Sequence, residues 1–240
     1  MTNCFPLVNG RDGSAHEQRL REEICTIGLR MYTRGLVVAC EGNLSARLDS
    51  ERILVTPSAV CKGDLKPVDL LVTDLNGEVV SGSGRPSSEI RMHTLCYRLR
   101  SDVQAVCHAH PPTATGFAAA GLALEEPVLP EAIVELGRIP LAPYGTPGTE
   151  EVCEGLEPLI GLHDAVLLEN HGVVTCGATL RSAYYRMETV EHLARILLVT
   201  RSLGGSHRLS DESINKLKAR SSGTESPAAE QQITMTVEER

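Results

Sequence analysis

One strand constrains the fold of this chain more than any other segment, because it is apolar and ends abruptly in two histidines. It covers residues 106–110 (VCHAH) and is stopped by Pro111 and Pro112. Residues i and i+2 of an extended strand point to the same face, so His108 and His110 project side by side. An apolar strand would normally end in a turn residue, so two imidazoles before a double proline favour a functional role at this end.

A second strand also ends in a histidine, over residues 165–171 (AVLLENH), where the chain turns at Gly172. Imidazole suits zinc, and three protein ligands with one open position are typical of a catalytic zinc site. His108, His110 and His171 are therefore candidate ligands of one divalent cation. The alternative is that they are ordinary core or surface histidines, since an isolated H-x-H pair is weak evidence.

The composition narrows the class of protein. The chain has 240 residues, 42% of them hydrophobic, which is enough for one large α/β core. A net charge of −8 argues against a general nucleic-acid surface, which needs clustered Lys and Arg. No apolar run is long enough to span a membrane, and the N-terminus does not read as a signal peptide. Eight scattered cysteines without C-x-x-C pairs fit reduced thiols, so we expect a cytoplasmic protein.

Apolar periodicity predicts helices interspersed with strands. An amphipathic helix is expected over residues 14–32, where Leu20, Ile24, Ile27 and Met31 share one face. A hairpin is expected from strands joined by turn residues of the DLNG type. Its strands would cover 70–73 and 78–81. Further strands are expected at 53–56, 103–108, near Val128 and at 139–142, and further helices after 86–89, after 145–151 and over 183–203.

The character of the chain changes at Gly204. Residues 205–240 are rich in Ser, Glu and Gln and cannot bury much apolar surface. We expect a polar, flexible tail with a short helix around residues 214–217. The predicted organisation is an N-terminal extension over 1–14, a single α/β domain over 15–204 and this tail.

Glu89 follows two serines at the start of a predicted helix. Alone it would only complement the helix dipole, which is worth about 0.3–1 kcal/mol. Beside a Lewis-acid cation it becomes a candidate general acid/base. Nearby loops also carry polar residues that could form a phosphate cradle from N–H groups, hydroxyls and a helix N-terminus. These residues are Asn43, Ser58, Ser87 and Ser88.

Six short motifs occur in a fixed order along the chain. They are GNLS at 42–45, TPSA at 56–59, PSSE at 86–89, CHAH at 107–110, APY at 142–144 and NHG at 170–172. Together they resemble the class II aldolase/adducin family over residues 17–203. The resemblance implies a central, mostly antiparallel sheet flanked by helices. It also implies a cyclic homotetramer with active sites at the subunit interfaces.

The resemblance further implies a role for each candidate residue. One Zn²⁺ per subunit would be held by His108, His110 and His171. Glu89 would be the catalytic acid/base and would also ligate the metal when no substrate is present. The substrate would be a small ketose phosphate, cleaved reversibly to dihydroxyacetone phosphate and an aldehyde. Its phosphate would be bound by Asn43, Ser58, Ala59, Ser87 and Ser88.

Two departures from the family pattern affect this expectation. The family often has glycine where this chain has Ala59, and a positive φ at alanine would be strained. Aldolases of the family also use a tyrosine from the neighbouring subunit as a proton donor toward the aldehyde half. Residues 127–131 (PVLPE), which correspond to that stretch, contain no tyrosine. Possible substitutes are Glu131, Tyr144, Tyr184 and Tyr185.

Other functions stay open within and beyond this chemistry. A related sugar-phosphate dehydratase, decarboxylase or 4-epimerase is an alternative, although the epimerases typically place Asp where Glu89 stands. A non-catalytic adducin-like interaction module is an alternative of another class. That alternative predicts loss of the metal ligands, whereas all three histidines and Glu89 are present.

Overall fold

The core of the molecule is one eight-stranded sheet. The computed structural model describes residues 10–222 and places these strands in them: β1 (Asn43–Arg47), β2 (Arg52–Val55), β3 (Leu71–Asp74), β4 (Val79–Ser81), β5 (Ala105–Ala109), β6 (Leu141–Ala142), β7 (Ala165–Leu168) and β8 (Gly172–Gly177). Their order is β4-β3-β2-β1-β5-β8-β7-β6, and every neighbouring pair is antiparallel except β6 and β7. The expected single α/β domain with a mostly antiparallel sheet is confirmed.

Helices cover both faces of the sheet. They are α1 (Gly10–Thr33), α2 (Ile90–Leu99), α3 (Pro112–Ala119), α4 (Pro130–Glu135), α5 (Glu150–Ile160), α6 (Leu180–Ser202) and α7 (Asp211–Ser222), with a short 3₁₀ turn at Pro67–Asp69. Apolar residues of α1, α3 and α6 pack on one face, and those of α2 and α5 pack on the other. Because β5 alternates, Cys107 and Ala109 join the first core while Val106 joins the second. His108 therefore projects toward α2.

Some elements differ from the sequence-based prediction. The strand expected near Val128 is wrong, because the chain forms α4 there, starting at Pro130 in a position where proline suits a helix. Helix α3 was not predicted, although Pro112 starts it in the same way. The strand expected to run to residue 171 ends at Leu168, and the chain returns as β8.

Helices occur beyond both predicted limits of the domain. Helix α1 begins at Gly10, so residues 10–14 of the predicted N-terminal extension belong to a helix. Helix α7 contains the helix expected at 214–217 and packs against α4, with Ile214 and Leu217 half-buried. Residues 1–9 and 223–240 lie outside the described range, and the predicted domain limits and tail flexibility stay predictions. Across the described residues, no helix is both long and apolar enough to cross a bilayer.

Candidate metal centre and active site

The three candidate histidines meet at one point. The ring centroids of His108 and His110 are 4.9 Å apart, those of His108 and His171 are 4.8 Å apart, and those of His110 and His171 are 5.1 Å apart. Their potential ligand nitrogens all lie within 4.8 Å of one another. The rings thus form a nearly equilateral triangle whose nitrogens face a shared centre.

The sheet and one tight turn create this triangle. His108 on β5 pairs across the sheet with Asn43 of β1 on one side and Val174 of β8 on the other. His171 enters from the β7–β8 turn, where Asn170 adopts φ +54°, a conformation that asparagine tolerates. A Cβ on the next residue, Gly172, would lie 2.6 Å from both the Ala109 carbonyl oxygen and the His110 ring. Only glycine therefore lets the turn approach the end of β5 so closely.

A hydrogen bond fixes which nitrogen of His108 can bind a metal, and an acidic neighbour favours the same nitrogen in His110. Nδ1 of His108 lies 2.9 Å from the carbonyl oxygen of Val173, and Nδ1 of His110 lies 3.2 Å from Oε2 of Glu41. The Val173 carbonyl only accepts, so Nδ1 of His108 carries the proton and its Nε2 presents a lone pair. The Glu41 carboxylate favours the same tautomer in His110. These two Nε2 atoms are 3.0 Å apart. With both Nδ1 atoms protonated, the facing Nε2 lone pairs would repel unless a cation lay between them, so this donor set fits a divalent metal.

The Glu89 carboxylate completes the cluster from the start of α2, where Glu89 is the N-terminal flanking residue. Its Oε1 lies 2.7 Å from Nε2 of His171, and its Oε2 lies 3.3 Å from Nε2 of His108. The contact to His171 is close without being aligned as a hydrogen bond. Within residues 10–222, neither Oε1 of Glu89 nor Nδ1 of His171 has a hydrogen-bond partner. Both atoms are buried, and a cation bound by the imidazoles would satisfy the carboxylate oxygen.

Charge and burial act in opposite directions on the pKa of Glu89 and mainly in the same direction on that of His110. Burial favours the neutral acid of Glu89, but the neighbouring His108 and His171 outweigh it and hold the pKa of Glu89 below its ordinary value. Burial, together with His108 and His171, lowers the pKa of His110 to about 3. An ionised carboxylate and a neutral imidazole are the forms that bind a metal.

The predicted phosphate residues lie beside this cluster, at the start of α2. Nδ2 of Asn43 donates to Oγ of Ser87 at 3.0 Å and to Oε2 of Glu89 at 2.8 Å. The backbone N–H of Ser58 donates to the carbonyl of Arg85 at 2.9 Å, which joins the loop after β2 to the loop before α2. Ser58, Ala59 and Ser88 are exposed, whereas Asn43 is buried. The structure thus gathers these residues at one edge, and their role toward phosphate stays a prediction.

Ala59 has the conformation that its position in the family pattern suggested. Its φ is +59°, in the left-handed region that L-residues avoid at a cost of roughly 1–2 kcal/mol. The loop keeps this shape although alanine replaces the usual glycine, so the surrounding contacts must hold it.

Lys62 is one residue in this region that the sequence analysis missed. It is 1% exposed, and its ammonium donates to the carbonyls of Cys40, at 3.1 Å, and of Val60, at 2.5 Å. No carboxylate in the described part of the chain forms an ion pair with it, and burial lowers its pKa. The ammonium of Lys62 therefore joins the loop before β1 to the loop after β2 and places a buried positive charge between them. The signal was a single lysine within the otherwise uncharged run AVCKG at 59–63.

None of the four candidates for a second proton donor contacts the cluster within the described chain. The hydroxyl of Tyr184 donates to Glu188, and Tyr144, Tyr185 and Glu131 are exposed. No hydrogen bond or ion pair joins any of them to the three histidines or to Glu89 in residues 10–222. Among Glu89 and these four candidates, Glu89 is therefore the group that contacts the histidines within residues 10–222.

The fold and the site together define a class of protein. The chain matches the Class II Aldolase and Adducin N-terminal domain family over residues 22–198, and it belongs to this family. The resemblance inferred from the six motifs is thus confirmed.

Its relatives include both aldolases and a decarboxylase. The 3-oxo-tetronate 4-phosphate decarboxylase of Pectobacterium atrosepticum is 34% identical over 196 residues, which cover 80% of this chain and 89% of that protein. The 5-deoxy-D-ribulose 1-phosphate aldolase of Bacillus thuringiensis serovar kurstaki is 33% identical over 209 residues, covering 86% and 97% respectively. A solved structure of L-fuculose 1-phosphate aldolase superposes with a TM-score of 0.78 and 31% identity, covering 84% of this chain and 95% of that one.

Proposed function

We propose that this protein is a metal-dependent carbon–carbon lyase that acts on a phosphorylated sugar or sugar acid and releases dihydroxyacetone phosphate. The observation that carries the proposal is the position of Glu89. Its two carboxylate oxygens lie 2.7 Å and 3.3 Å from two imidazole nitrogens, and the same carboxylate accepts from Asn43 beside the predicted phosphate cradle. An acid/base group between a metal site and an anion site suits a substrate with a carbonyl next to a phosphate-bearing carbon.

The substrates in the names of the two relatives share one half. A ketose 1-phosphate and 3-oxo-tetronate 4-phosphate both contain a phosphorylated CH₂ group, a carbonyl carbon and a hydroxyl-bearing carbon in sequence. Cleavage next to the hydroxyl-bearing carbon releases an aldehyde from the first and carbon dioxide from the second. Each cleavage leaves the same enediolate, and protonation of its carbon gives dihydroxyacetone phosphate. One set of residues could therefore serve either reaction.

His108, His110 and His171 would hold the metal. We expect one Zn²⁺ per subunit, since zinc is commonly held by three imidazoles in catalytic sites. When bound, it would act as a Lewis acid that polarises the substrate carbonyl.

Glu89 would move the proton at carbon. Asn43 donates to its Oε2, which leaves Oε1 as the oxygen without a hydrogen bond inside the described chain. Oε1 is therefore the atom that would carry the proton to the enediolate carbon, and in the reverse direction it would remove that proton. General acid/base groups of this kind contribute roughly 10²–10⁴-fold to rate.

The loops beside Glu89 would hold the phosphate. The backbone N–H groups of Ala59 and Ser88 donate to no other group within residues 10–222 and are free for an anion. The buried ammonium of Lys62, which is bonded to the carbonyls of these loops, would add positive electrostatic potential at the phosphate site. Phosphate binding would orient the reacting carbons against the metal, and remote binding energy of this kind can raise kcat as well as lower KM.

The two candidate reactions differ in the fragment that leaves the substrate, which is an aldehyde or carbon dioxide. Retro-aldol cleavage of a ketose 1-phosphate is the first candidate, in line with the aldolases among the relatives. It needs a second group to take the proton of the C4 hydroxyl. None of the four candidates reaches the cluster within residues 10–222, so we propose that another subunit supplies it. Decarboxylation is the second candidate, because carbon dioxide leaves without an O–H proton and Glu89 alone would suffice.

A product assay tests the proposal. Zinc-loaded protein would be incubated with a panel of ketose 1-phosphates and with 3-oxo-tetronate 4-phosphate, and dihydroxyacetone phosphate, aldehyde and carbon dioxide would be measured separately. Dihydroxyacetone phosphate with aldehyde would establish an aldolase, and with carbon dioxide a decarboxylase. Products that retain every carbon of the substrate, as from a dehydratase or epimerase, would contradict the proposal.

The expected surroundings of the enzyme complete the proposal. We infer a homotetramer with active sites at subunit interfaces, which would let a neighbour provide the missing proton acceptor. We also infer a cytoplasmic location and no nucleic-acid or membrane partner, from the acidic charge and the scattered thiols. Sedimentation analysis of the native protein would test the tetramer directly.

A further inference from the structure

A row of buried polar groups lies behind Glu89. Asn43, Ser45, His93 and Tyr97 are each at most 4% exposed. Oδ1 of Asn43 contacts Nε2 of His93, Nδ1 of His93 lies 2.6 Å from Oγ of Ser45, and Oγ of Ser45 lies 2.8 Å from the hydroxyl of Tyr97. Since unpaired polar groups are costly in a core, four such residues in one connected row need an explanation.

The row forms because the spacing of two residues on β1 and that of two residues on α2 bring their side chains to facing sides of the strand and the helix. Asn43 and Ser45 are two residues apart on β1, so both point to the face covered by α2. His93 and Tyr97 are four residues apart on α2, so both lie on one side of that helix. The strand pair and the helix pair therefore meet side by side, with Asn43 at the end nearest Glu89.

The direction of every hydrogen bond in the row follows from the amide of Asn43. Its NH₂ group donates to Oγ of Ser87 and Oε2 of Glu89, so its carbonyl oxygen faces His93. His93 must then donate through Nε2–H, which leaves Nδ1 as an acceptor.

The directions of the remaining two hydrogen bonds, His93–Ser45 and Ser45–Tyr97, follow from this one. Ser45 must donate its one hydroxyl proton to Nδ1 of His93, so Tyr97 must donate to Ser45. Burial, with a smaller effect of the nearby His108, lowers the pKa of His93 to about 3, so the imidazole is neutral and has the one proton that this arrangement requires.

We propose that His93 is a positioning residue for Glu89. As the neutral Nε2–H tautomer it holds the carbonyl of Asn43, and this fixes the amide that donates to Oε2 of Glu89. Without that donor the Asn43 amide could rotate and place its own oxygen against the carboxylate, which would repel it. This inference rests on the proposed role of Glu89 as acid/base, although the tautomer it requires does not depend on turnover.

The tautomer can be measured without substrate. Nitrogen NMR of the zinc-loaded protein with ¹⁵N-labelled histidine distinguishes protonated from bare ring nitrogens, and the signal lost in His93→Gln identifies His93. We expect a protonated Nε2 and a bare Nδ1 near neutral pH. An Nδ1–H tautomer or a doubly protonated ring at His93 would overturn the inference.

Two substitutions at His93 test positioning through rescue. His93→Gln keeps an amide donor that can reach Asn43, whereas His93→Phe keeps a flat ring without a donor. If both fold and retain zinc, we expect kcat to fall by roughly 10²-fold in His93→Phe, the scale of a small misplacement of a catalytic group, and by less than tenfold in His93→Gln. The exposed His192→Gln is the matched control and should behave as the native protein. Equal losses in Gln and Phe, or no loss in Phe, would reject positioning through the donor.

A change at Ser45 covers the case in which His93→Phe does not fold. Ser45→Ala removes the donor to Nδ1, so the Nδ1–H tautomer of His93 should appear beside Nε2–H and kcat should fall. A single unchanged tautomer with native kcat would overturn the role of the row. Failure of the proposed function would be distinguishable, because a protein that cleaves none of the substrates would still show the Nε2–H tautomer.

Discussion

The metal cluster and the neighbouring loop cradle are built in different ways, although they lie side by side. Two of the three histidines are fixed by the end of β5, a central strand buried along its whole length, and the third by a tight turn. The cradle instead depends on loops, a left-handed alanine and a buried lysine that joins two of those loops. The first region has its geometry imposed by the sheet, whereas the second must be held by local contacts.

This difference predicts how each region should respond to amino-acid substitution. Changes at the cluster should act on chemistry and metal binding and should do so severely. Changes at the cradle should act on affinity for the phosphate and on loop stability, in smaller steps.

The largest expected effect is loss of the metal. His108→Ala or His171→Ala removes one of three nitrogen ligands, so bound zinc and activity should both disappear in metal analysis of purified protein. The milder Glu41→Gln removes only the carboxylate beside Nδ1 of His110, and should weaken zinc affinity by roughly tenfold. The control is His192→Ala, which changes a histidine outside the cluster and should keep its zinc. Full zinc content in both the His108 and the His171 variant would show that these residues do not hold the metal.

The next effect should be on turnover alone. Glu89→Gln has nearly the same shape but cannot carry the proton, so kcat should fall by roughly 10²–10⁴-fold while zinc content is kept. Steady-state kinetics with metal analysis on the same sample would check this. A native kcat in this variant would return Glu89 to a structural role at the start of α2.

A smaller effect is expected in the cradle. Ser88→Ala keeps the backbone N–H and removes only the hydroxyl donor to the charged phosphate. Such a bond is worth about 1.5 kcal/mol at the low end, so KM for the phosphorylated substrate should rise roughly tenfold. The corresponding unphosphorylated sugar should show no such change. If the native enzyme turned over both sugars equally well, the cradle would not be a phosphate site.

The smallest effect should be a gain in stability. Ala59→Gly relieves the left-handed alanine, and we expect the free energy of unfolding to rise by roughly 0.5–1 kcal/mol in urea titrations. Ala120→Gly, at φ −84° on the surface, is the matched control and should not stabilise. A stability loss at residue 59 like that at residue 120 would show that the cradle loop is not strained.

The sequence predicted the cluster better than the cradle for a physical reason. Strand alternation alone places His108 and His110 on one face, and the prediction of their meeting with His171 is confirmed. The row of Asn43, Ser45, His93 and Tyr97 could not be foreseen, because it depends on which helix covers β1.

The irregular regions show the same limit. Lys62 lies in a loop, where no period indicates which way a side chain points, and its burial was therefore not predicted. The helix at α4 was mistaken for a strand because a short apolar stretch carries no clear period, and only Pro130 indicated a helix start.

The order of the strands has a consequence for how the protein folds. β5 pairs with β1, which precedes it by a long stretch of chain, and with β8, which follows it after three helices. Contacts between segments so distant in sequence are slow to form, because the entropy of closing long loops is lost before the contacts are gained. We therefore expect the turn that carries His171 to reach His108 late in folding, once β8 has paired with β5. A metal ion captured at this stage would slow unfolding far more than it would speed folding.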